Sequence, residues 1–199
     1  MFVQVIRGAV RSEDDAMAVF ERWLEEVRPD AVGYLGTTAG VTDDGELVVV
    51  ARFASEDEAR RNSGRPEQGA WWEQMEQQFT GEVRFYDCAD VATFLDGGDD
   101  EAGFVQVMQS SSDGSLGAAD LAAPAGDVVS AYRPDVLGGL VAIADDGTAF
   151  QVVYFTSEEE ARAAEAQEMP PEVGEDMERI MRGLGDITYL DLHAPRTAS

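Results

Sequence analysis

The sequence contains no lysine, and this absence excludes several kinds of chemistry at once. All 14 basic residues of the 199-residue chain are arginine. Without lysine the chain cannot form a Schiff base, attach pyridoxal phosphate or build a Walker-type phosphate loop. A single histidine, His193, and a single cysteine, Cys88, exclude a zinc site of standard composition and an internal disulfide. We therefore predict no metal and no cofactor, and the lone cysteine fits a reducing cytoplasm.

Positive charge and long apolar runs are also scarce. The chain has 40 acidic residues against 14 basic ones, a formal net charge of -26. Such a surface repels nucleic-acid phosphates and anionic lipids, so we expect neither as a partner. No apolar run approaches the roughly 20 residues that span a bilayer, and the N-terminus lacks the pattern of a signal peptide. These features predict a soluble, cytoplasmic protein.

An internal repeat organises the chain. The segment Phe2-Val-Gln-Val-Ile6 returns as Phe104-Val-Gln-Val-Met108, 102 positions later. Self-similarity at a fixed spacing indicates repeated structural units, so we predict two copies of one unit about a hundred residues long. Two further segments return in the same register: Asp43-Asp-Gly45 as Asp145-Asp-Gly147, and Phe53-Ala-Ser-Glu-Asp-Glu-Ala-Arg60 as Phe155-Thr-Ser-Glu-Glu-Glu-Ala-Arg162.

Each copy shows the element order βαββαβ, which is that of the ferredoxin-like fold. In the first copy, Ser12 and Ser55 are expected to cap two helices, and the second helix is interrupted around 64–66. The apolar, β-branched segments predict strands at 2–6, 31–38, 47–53 and 83–87 in the first copy, and at 104–109, 136–144, 148–156 and 186–192 in the second.

The predicted organisation is a first unit at 1–88, an acidic linker at 89–103, a second unit at 104–193 and a tail at 194–199. Gly97 and Gly98 among acidic residues indicate a flexible linker, and the last residues are expected to fray. Within the linker, Val91, Phe94 and Leu95 are expected to cover an edge of the first unit. In the second unit, the first helix is expected to be short, because 116–123 contains glycine and is followed by Pro124.

Both faces of each sheet must be covered. Phe2–Ile6 and Leu47–Ala51 are apolar at both strand parities, which is typical of strands buried on two sides. Helices of the same unit can cover one face, and the other needs a second sheet. We therefore predict an α+β fold of two tandem ferredoxin-like units packed sheet-to-sheet as a barrel, a pseudo-dimer within one chain.

These features resemble the dimeric α/β-barrel superfamily, particularly its antibiotic-biosynthesis-monooxygenase-like branch, as a tandem repeat. The residues that carry the resemblance are the hairpin Val41–Gly45, the strand into Phe53–Arg60 and the broken helix with Trp71 and Trp72. The resemblance spans Phe2–Asp87 and Phe104–His193. It implies ligands held between the sheet and the helices of one unit. Members include cofactor-independent monooxygenases of polycyclic phenols and haem-degrading enzymes. Haem needs an axial ligand, and since we expect His193 at the surface, haem degradation is disfavoured.

Positions that differ between the copies are the candidate site. Six residues of the first copy have no counterpart of the same kind in the second: Tyr34, Asn62, Trp71, Trp72, Arg84 and Tyr86. The resemblance implies that Asn62 hydrogen-bonds a substrate oxygen, that Trp72 walls the ring, and that Arg84 stabilises a phenolate. Tyr86 or Tyr34 would relay a proton, with Trp71 at the pocket edge. The alternative is drift, in which the first copy has a larger core and Asn62 caps a helix end.

Three functions stay open at this point. The first is a small aromatic ligand bound in the first unit by a cofactor-independent monooxygenase of a phenol or quinol, with the second unit as a structural partner. The second is a non-catalytic ligand-binding or stress-related protein of the same fold. The third is a scaffold whose edge strands drive homo-oligomerisation.

Overall fold

The computed structural model describes residues 1–95, 97–124, 132–167 and 183–199. The chain divides into two compact units, Met1–Asp87 with Arg196–Ser199, and Cys88–Pro195. Both are α+β units, as predicted.

The described residues form nine strands and five α-helices. The strands are β1 (Phe2–Ala9), β2 (Tyr34–Val41), β3 (Glu46–Phe53), β4 (Arg84–Leu95), β5 (Phe104–Ser111), β6 (Val136–Ala144), β7 (Thr148–Phe155), β8 (Thr188–Leu192) and β9 (Arg196–Ala198). The helices are α1 (Glu13–Arg22), α2 (Glu56–Ser63), α3 (Pro66–Glu76), α4 (Ala118–Pro124) and α5 (Glu158–Glu165). A π-helical turn at Trp23–Val27 and a 3-10 turn at Arg28–Asp30 continue α1.

In the first unit the strand order is β4-β1-β3-β2-β9, with Arg84–Asp87 as the part of β4 that belongs to this unit. β1 and β2 run antiparallel to β3, and β9 runs antiparallel to β2. The second unit repeats the arrangement as β8-β5-β7-β6, with Cys88–Leu95 of β4 beside β6. Apart from β9 and this part of β4, each order is that of a ferredoxin-like sheet, so the predicted fold of each unit is confirmed.

Local sequence chemistry fixes where the helices begin. The hydroxyl oxygens of Ser12, Ser55 and Ser157 each accept a hydrogen bond from the backbone N–H three residues later. These N-caps, each followed by acidic residues in the first turn, satisfy helix donors that would otherwise lack partners. The predicted caps at Ser12 and Ser55 are therefore confirmed. The predicted interruption is confirmed as well, since α2 ends at Ser63 and α3 starts at Pro66.

Two segments differ from the prediction. Residues expected to begin a linker continue β4 to Leu95, and they pair with Gly138–Ala144 of β6, which makes them part of the second unit. Residues expected to fray form β9, which pairs with Thr37–Ala39 of β2. In both cases the edge of β2 or β6 supplies the ladder of hydrogen bonds that makes the segment a strand.

Both faces of the first sheet are buried. Val3, Val5, Val48 and Val50 have no measurable exposure, and they alternate with residues that pack against the helices. This confirms the expectation drawn from strands that are apolar at both parities. No helix in the described ranges is long and apolar enough to cross a membrane.

Candidate functional site

A row of aromatic rings lies between the sheet and the helices of the first unit. Tyr34 contacts Trp23 with ring centroids 5.4 Å apart, and Trp23 contacts Trp71 at 6.1 Å. Trp71 then contacts Trp72 at 5.9 Å, and Trp72 meets Phe85 edge-on at 5.2 Å. We call these five residues the aromatic row. It begins on β2, passes through the π-helical turn that follows α1 and through α3, and ends on β4.

Hydrogen bonds hold three members of the row in place. Trp23 begins the π-helical turn, and its indole N–H donates to Oε1 of Gln68 at 2.8 Å. The indole N–H of Trp71 donates to the carbonyl of Val19 at 2.9 Å, and the Tyr34 hydroxyl donates to the carbonyl of Ala198 at 2.9 Å. A buried indole or phenol usually needs such a partner, so these rings are fixed in orientation.

The far end of the row is more open. Trp72 is half-buried, and Phe85 is 50% exposed, which is unusual for a phenylalanine in a sheet. Within the described ranges, the indole N–H of Trp72 donates no hydrogen bond. This end therefore presents both an aromatic surface and a free donor.

The strands beneath the row carry a partly open patch on their helix-facing side. Gln4 on β1 and Ala51 on β3 are paired across the sheet, and both are only half-buried although they lie on central strands. Ala51 is also paired with Thr37 of β2, whose side chain is 2% exposed. The hydroxyl oxygen of Thr37 is buried and has no hydrogen-bond partner in the described part of the chain. A buried orphan hydroxyl costs on the order of 1–3 kcal/mol, so a ligand that bonds to it would be stabilised.

One carboxylate borders this patch. Nε2 of Gln4 donates to Oδ1 of Asp87 at 2.7 Å. Asp87 lies two residues after Phe85 on β4, and strand alternation therefore directs both side chains to the same face. We call Gln4, Thr37, Ala51 and Asp87 the open patch.

In the second unit the equivalent region is filled. Val153 is the counterpart of Ala51. It pairs with Gly139 of β6, just as Ala51 pairs with Thr37 of β2. Phe94 lies over Gly139 so closely that a Cβ there would fall 2.1 Å from the ring. The first unit has Ala198 at the position equivalent to Phe94. Gln106, the counterpart of Gln4, is accordingly only 5% exposed. The partial exposure of the sheet is thus found in the first unit and not at the equivalent positions of the second.

Asn62 connects α2 to the loop that precedes β2. Its side chain is buried, and its Oδ1 accepts a hydrogen bond from the backbone N–H of Val32 at 3.0 Å. Its Nδ2 donates to the carbonyl of Val32 at 2.7 Å and to that of Glu58 at 3.1 Å. These bonds tie α2 to the loop that leads into Tyr34. The amide therefore has no free donor to offer a substrate oxygen.

Arg84 and Tyr86 are not brought to the aromatic row. Both alternate with Phe85 on β4, so they point to the opposite face of the sheet. The Arg84 side chain is 62% exposed beside Glu82, whereas Tyr86 is buried and interacts with the charge of Arg7. Arg7 donates through Nε to Glu46 at 2.7 Å, and this hydrogen bond, opposed by burial, raises the pKa of the guanidinium.

Of the six predicted residues, Tyr34, Trp71 and Trp72 lie together in the aromatic row. Asn62 holds the loop that leads into Tyr34, and the other two lie on the opposite face of the sheet. Sequence reasoning missed the residues that open the patch. The only signal for them was a difference in size between the copies, Ala51 against Val153.

The single cysteine and the single histidine of the chain both lie in the second unit. Cys88 is buried. His193 lies at the surface, as expected, with Nδ1 2.7 Å from a carboxylate oxygen of Glu158. Among the described residues, no group of three histidine, cysteine or acidic side chains is arranged to hold a metal.

Comparison with known proteins identifies the fold. No protein family and no curated protein match the sequence. A candidate monooxygenase from Lactobacillus acidophilus is similar in structure, with a TM-score of 0.70, 10% identity and coverage of 100% of this chain and 99% of that one. A second candidate monooxygenase, from Fusobacterium nucleatum, has a TM-score of 0.73, 10% identity and coverage of 97% and 91%. An anthrone oxidase-like protein has a TM-score of 0.70, 11% identity and coverage of 100% and 92%.

These likenesses extend over both units, and they confirm the predicted resemblance at the level of fold. The chain has the same fold as these three proteins, with two ferredoxin-like units in one polypeptide. Identity near 10% carries no substrate or residue role from those proteins to this one.

Proposed function

We propose that the first unit binds a small aromatic molecule over the open patch, with the aromatic row as its wall. The observation that carries this proposal is the partial exposure of Gln4 and Ala51 on central strands, next to the orphan hydroxyl of Thr37. A recess lined by aromatic rings with a few polar groups is the usual form of a small-molecule site. The second unit, where Phe94 and Val153 fill the equivalent region, serves as the structural partner.

The reaction proposed for this site is cofactor-independent oxygenation of a phenol or quinol. In such a reaction a ring CH₂ group becomes a carbonyl and molecular oxygen is the co-reactant. One oxygen atom enters the product, and the other leaves as water with the two hydrogens of the CH₂ group. The substrate itself supplies the electrons. The protein has to hold the ring, remove a proton and exclude solvent.

The row residues have distinct parts in this proposal. Trp71 and Tyr34 are fixed by hydrogen bonds and wall the ring, while Trp72 offers its face and its free indole N–H. Asn62 acts as a positioning residue, because it holds the loop that leads into Tyr34. Arg84 and Tyr86 have no contact with substrate, since they lie on the other face of the sheet.

A second function, non-catalytic binding of the same kind of ligand, is favoured by one observation. The Asn62 amide, which the resemblance assigns to the substrate oxygen, is fully engaged with the backbone at Val32 and Glu58. A protein that only binds needs the aromatic row and the patch, whereas an oxygenase also needs a group that takes the proton.

Tryptophan fluorescence tests binding directly. All three tryptophans of the chain, Trp23, Trp71 and Trp72, belong to the aromatic row, so quenching by 1,8-dihydroxyanthraquinone reports on this site. We expect saturable quenching that Ala51→Val weakens at least tenfold, because the added methyl groups fill the recess as Val153 does in the second unit. Val153→Ala, the reverse exchange, is the control and should leave quenching unchanged. Equal quenching in Ala51→Val and wild-type protein would contradict the proposed site.

Oxygen consumption separates the two functions. With 1,8-dihydroxyanthrone as substrate, an oxygenase consumes one O₂ for each quinone formed, at a rate above the spontaneous oxidation in buffer. Trp72→Ala should then reduce both the rate and the quenching. Saturable binding with no consumption above the buffer rate would leave the non-catalytic function.

A further inference from the structure

We propose that Asp87, held by Gln4, is the polar anchor of this site. It accepts the hydrogen bond of a ligand hydroxyl and, in turnover, takes the hydroxyl proton. The proposal rests on the proposed function, and it specifies the substrate class: neutral aromatic molecules that carry a hydroxyl group, in preference to aromatic anions.

The position of the carboxylate supports this role. Oδ1 of Asp87 accepts from Nε2 of Gln4 at 2.7 Å, which fixes the direction of the carboxylate. Asp87 lies on the same strand face as Phe85, the ring that closes the aromatic row against Trp72 at 5.2 Å. A ligand ring resting against Trp72 and Phe85 would therefore have the carboxylate at its edge. In the described part of the chain, Oδ2 of Asp87 has no partner.

The second unit provides an internal comparison, because it contains the same pair in a different setting. Nε2 of Gln106 donates to Oδ1 of Asp191 at 2.8 Å. There, however, Arg162 on α5 forms a salt bridge with Oδ2 of Asp191. The second oxygen and the charge are both used within the protein, and the region above the pair is filled.

In the first unit the corresponding arginine is directed elsewhere. Arg60 occupies the position of Arg162 in the repeat, but it forms a salt bridge with Glu56 on its own helix. Asp87 therefore has no arginine partner among the described residues and keeps one acceptor oxygen, beside a recess that the second unit lacks. The glutamine–aspartate pair is common to both units, and only in the first is it open to a ligand.

The chemistry of a free carboxylate determines what it selects. An ionised carboxylate only accepts hydrogen bonds, and it binds a hydroxyl more strongly than a neutral acceptor does. It repels sulfonate or carboxylate groups on a ligand. Arg7, Arg52 and Arg84, on β1, β3 and β4, lie on the other face of the sheet and do not offset this charge.

The proton transfer balances within the proposed reaction. The O–H bond of the substrate breaks, the proton passes to Oδ2 of Asp87, and the electron pair stays on the phenolic oxygen. The resulting phenolate is the electron-rich species that reacts with molecular oxygen. The carboxyl proton then returns to the phenolic oxygen of the product, because the water takes both hydrogens of the CH₂ group. General-base assistance of this kind typically contributes about 10²–10⁴-fold to a rate.

Two ligands of similar ring size and different charge test the selection. Quenching titrations of the full-length protein use neutral 1,8-dihydroxyanthraquinone and anionic anthraquinone-2-sulfonate. Wild-type protein should bind the neutral ligand at least tenfold more tightly. Asp87→Asn should weaken binding of the neutral ligand about tenfold, since it replaces a charge-assisted hydrogen bond by a neutral one, and should strengthen binding of the sulfonate. A purely structural role for Asp87 would weaken both.

A control variant in the second unit and a measurement of oxygen consumption complete the test. Asp191→Asn changes the same pair in the second unit and should alter neither affinity. Oxygen consumption with 1,8-dihydroxyanthrone should fall at least a hundredfold in Asp87→Asn, and Asp87→Ser should behave alike. An unchanged ratio of the two affinities in Asp87→Asn would overturn the anchor while leaving ligand binding intact. Absence of quenching in wild-type protein would instead remove the proposed function itself.

Discussion

Replacing Asn62 by alanine distinguishes a residue that positions the site from one that contacts substrate. The wild-type amide makes two hydrogen bonds to Val32, at 3.0 Å and 2.7 Å, and both are lost in the variant. At about 0.5–1.5 kcal/mol for each bond, the loss is roughly 1–3 kcal/mol. Alanine regains about 0.6 kcal/mol through its higher helix propensity. The expected net loss in unfolding free energy is therefore about 1.5 kcal/mol.

Urea unfolding followed by tryptophan fluorescence measures this loss. Because all three tryptophans lie in the first unit, the signal reports unfolding of that unit. With an m-value of about 1 kcal/mol/M, the midpoint should fall by roughly 1–2 M urea. Ser63→Ala is the matched control, since Ser63 is an exposed residue of the same helix whose hydroxyl bonds only to the carbonyl of Ala59. Its free energy of unfolding should stay within about 0.5 kcal/mol of the wild-type value.

Asn62→Asp sharpens the comparison. The carboxylate still accepts from the N–H of Val32, but it faces the carbonyl of Val32 without a donor, so the loss should exceed that of Asn62→Ala. The reasoning is refuted if Asn62→Ala keeps the wild-type midpoint and loses ligand quenching. That result would mean that the amide contacts the ligand and does not hold the loop.

Three further predictions concern the fold. Removing 196–199 should lower the urea midpoint of the first unit, because β2 loses its edge partner and Tyr34 loses its hydrogen bond to Ala198; the same fluorescence assay checks it, and an unchanged midpoint would show that the strand contributes no stability. Ser55→Ala should cost about 1 kcal/mol as a lost N-cap, again by fluorescence. Phe94→Ala should destabilise the second unit by about 3–5 kcal/mol, measured by hydrogen exchange of the β6 amides, and unchanged protection there would contradict the packing.

Periodicity and the repeat were sufficient to predict the framework of each unit. The turn at Asp43–Gly45 forms as expected, with Gly45 at a φ of 82°, a value that glycine adopts without strain. The capping serines and the break before Pro66 are likewise local features, readable from a few residues. Such features depend on chemistry within one helix turn or one hairpin, so they need no tertiary information.

The extended end of β4 and the short β9 could not be predicted in this way. Cys88–Leu95 contains one acidic residue, Asp90, and runs into the acidic, glycine-containing sequence 96–101, which has the composition of a linker. It becomes a strand because β6 presents an unpaired edge, and that edge is visible only in three dimensions. Arg196–Ala198 is shorter still and contains no apolar pattern. Strand formation at an edge depends on the partner more than on the residues that join it.

The candidate site shows a similar division. Comparing the two copies drew attention to Tyr34, Trp71 and Trp72, because their bulk is found in one copy only, and the structure places all three in the aromatic row. The same comparison added Arg84 and Tyr86. These residues flank Phe85 on β4, so their side chains lie on the sheet face opposite to the aromatic row. It also set aside every position with the same residue in both copies, on the assumption that such positions serve the fold.

The glutamine–aspartate pair shows why that assumption fails. Gln4 with Asp87 and Gln106 with Asp191 are the same residues in the same geometry, so the pair is not distinguished by comparing sequences. The residues around the pair differ between the units. In the second unit, Val153 and Phe94 fill the space above the pair, and Arg162 forms a salt bridge with its carboxylate. A duplicated unit can therefore acquire or lose a binding site without any change in the polar residues that would contact the ligand. The residues to compare are the small ones around a shared polar pair, because their volume decides whether the pair meets a ligand or a side chain.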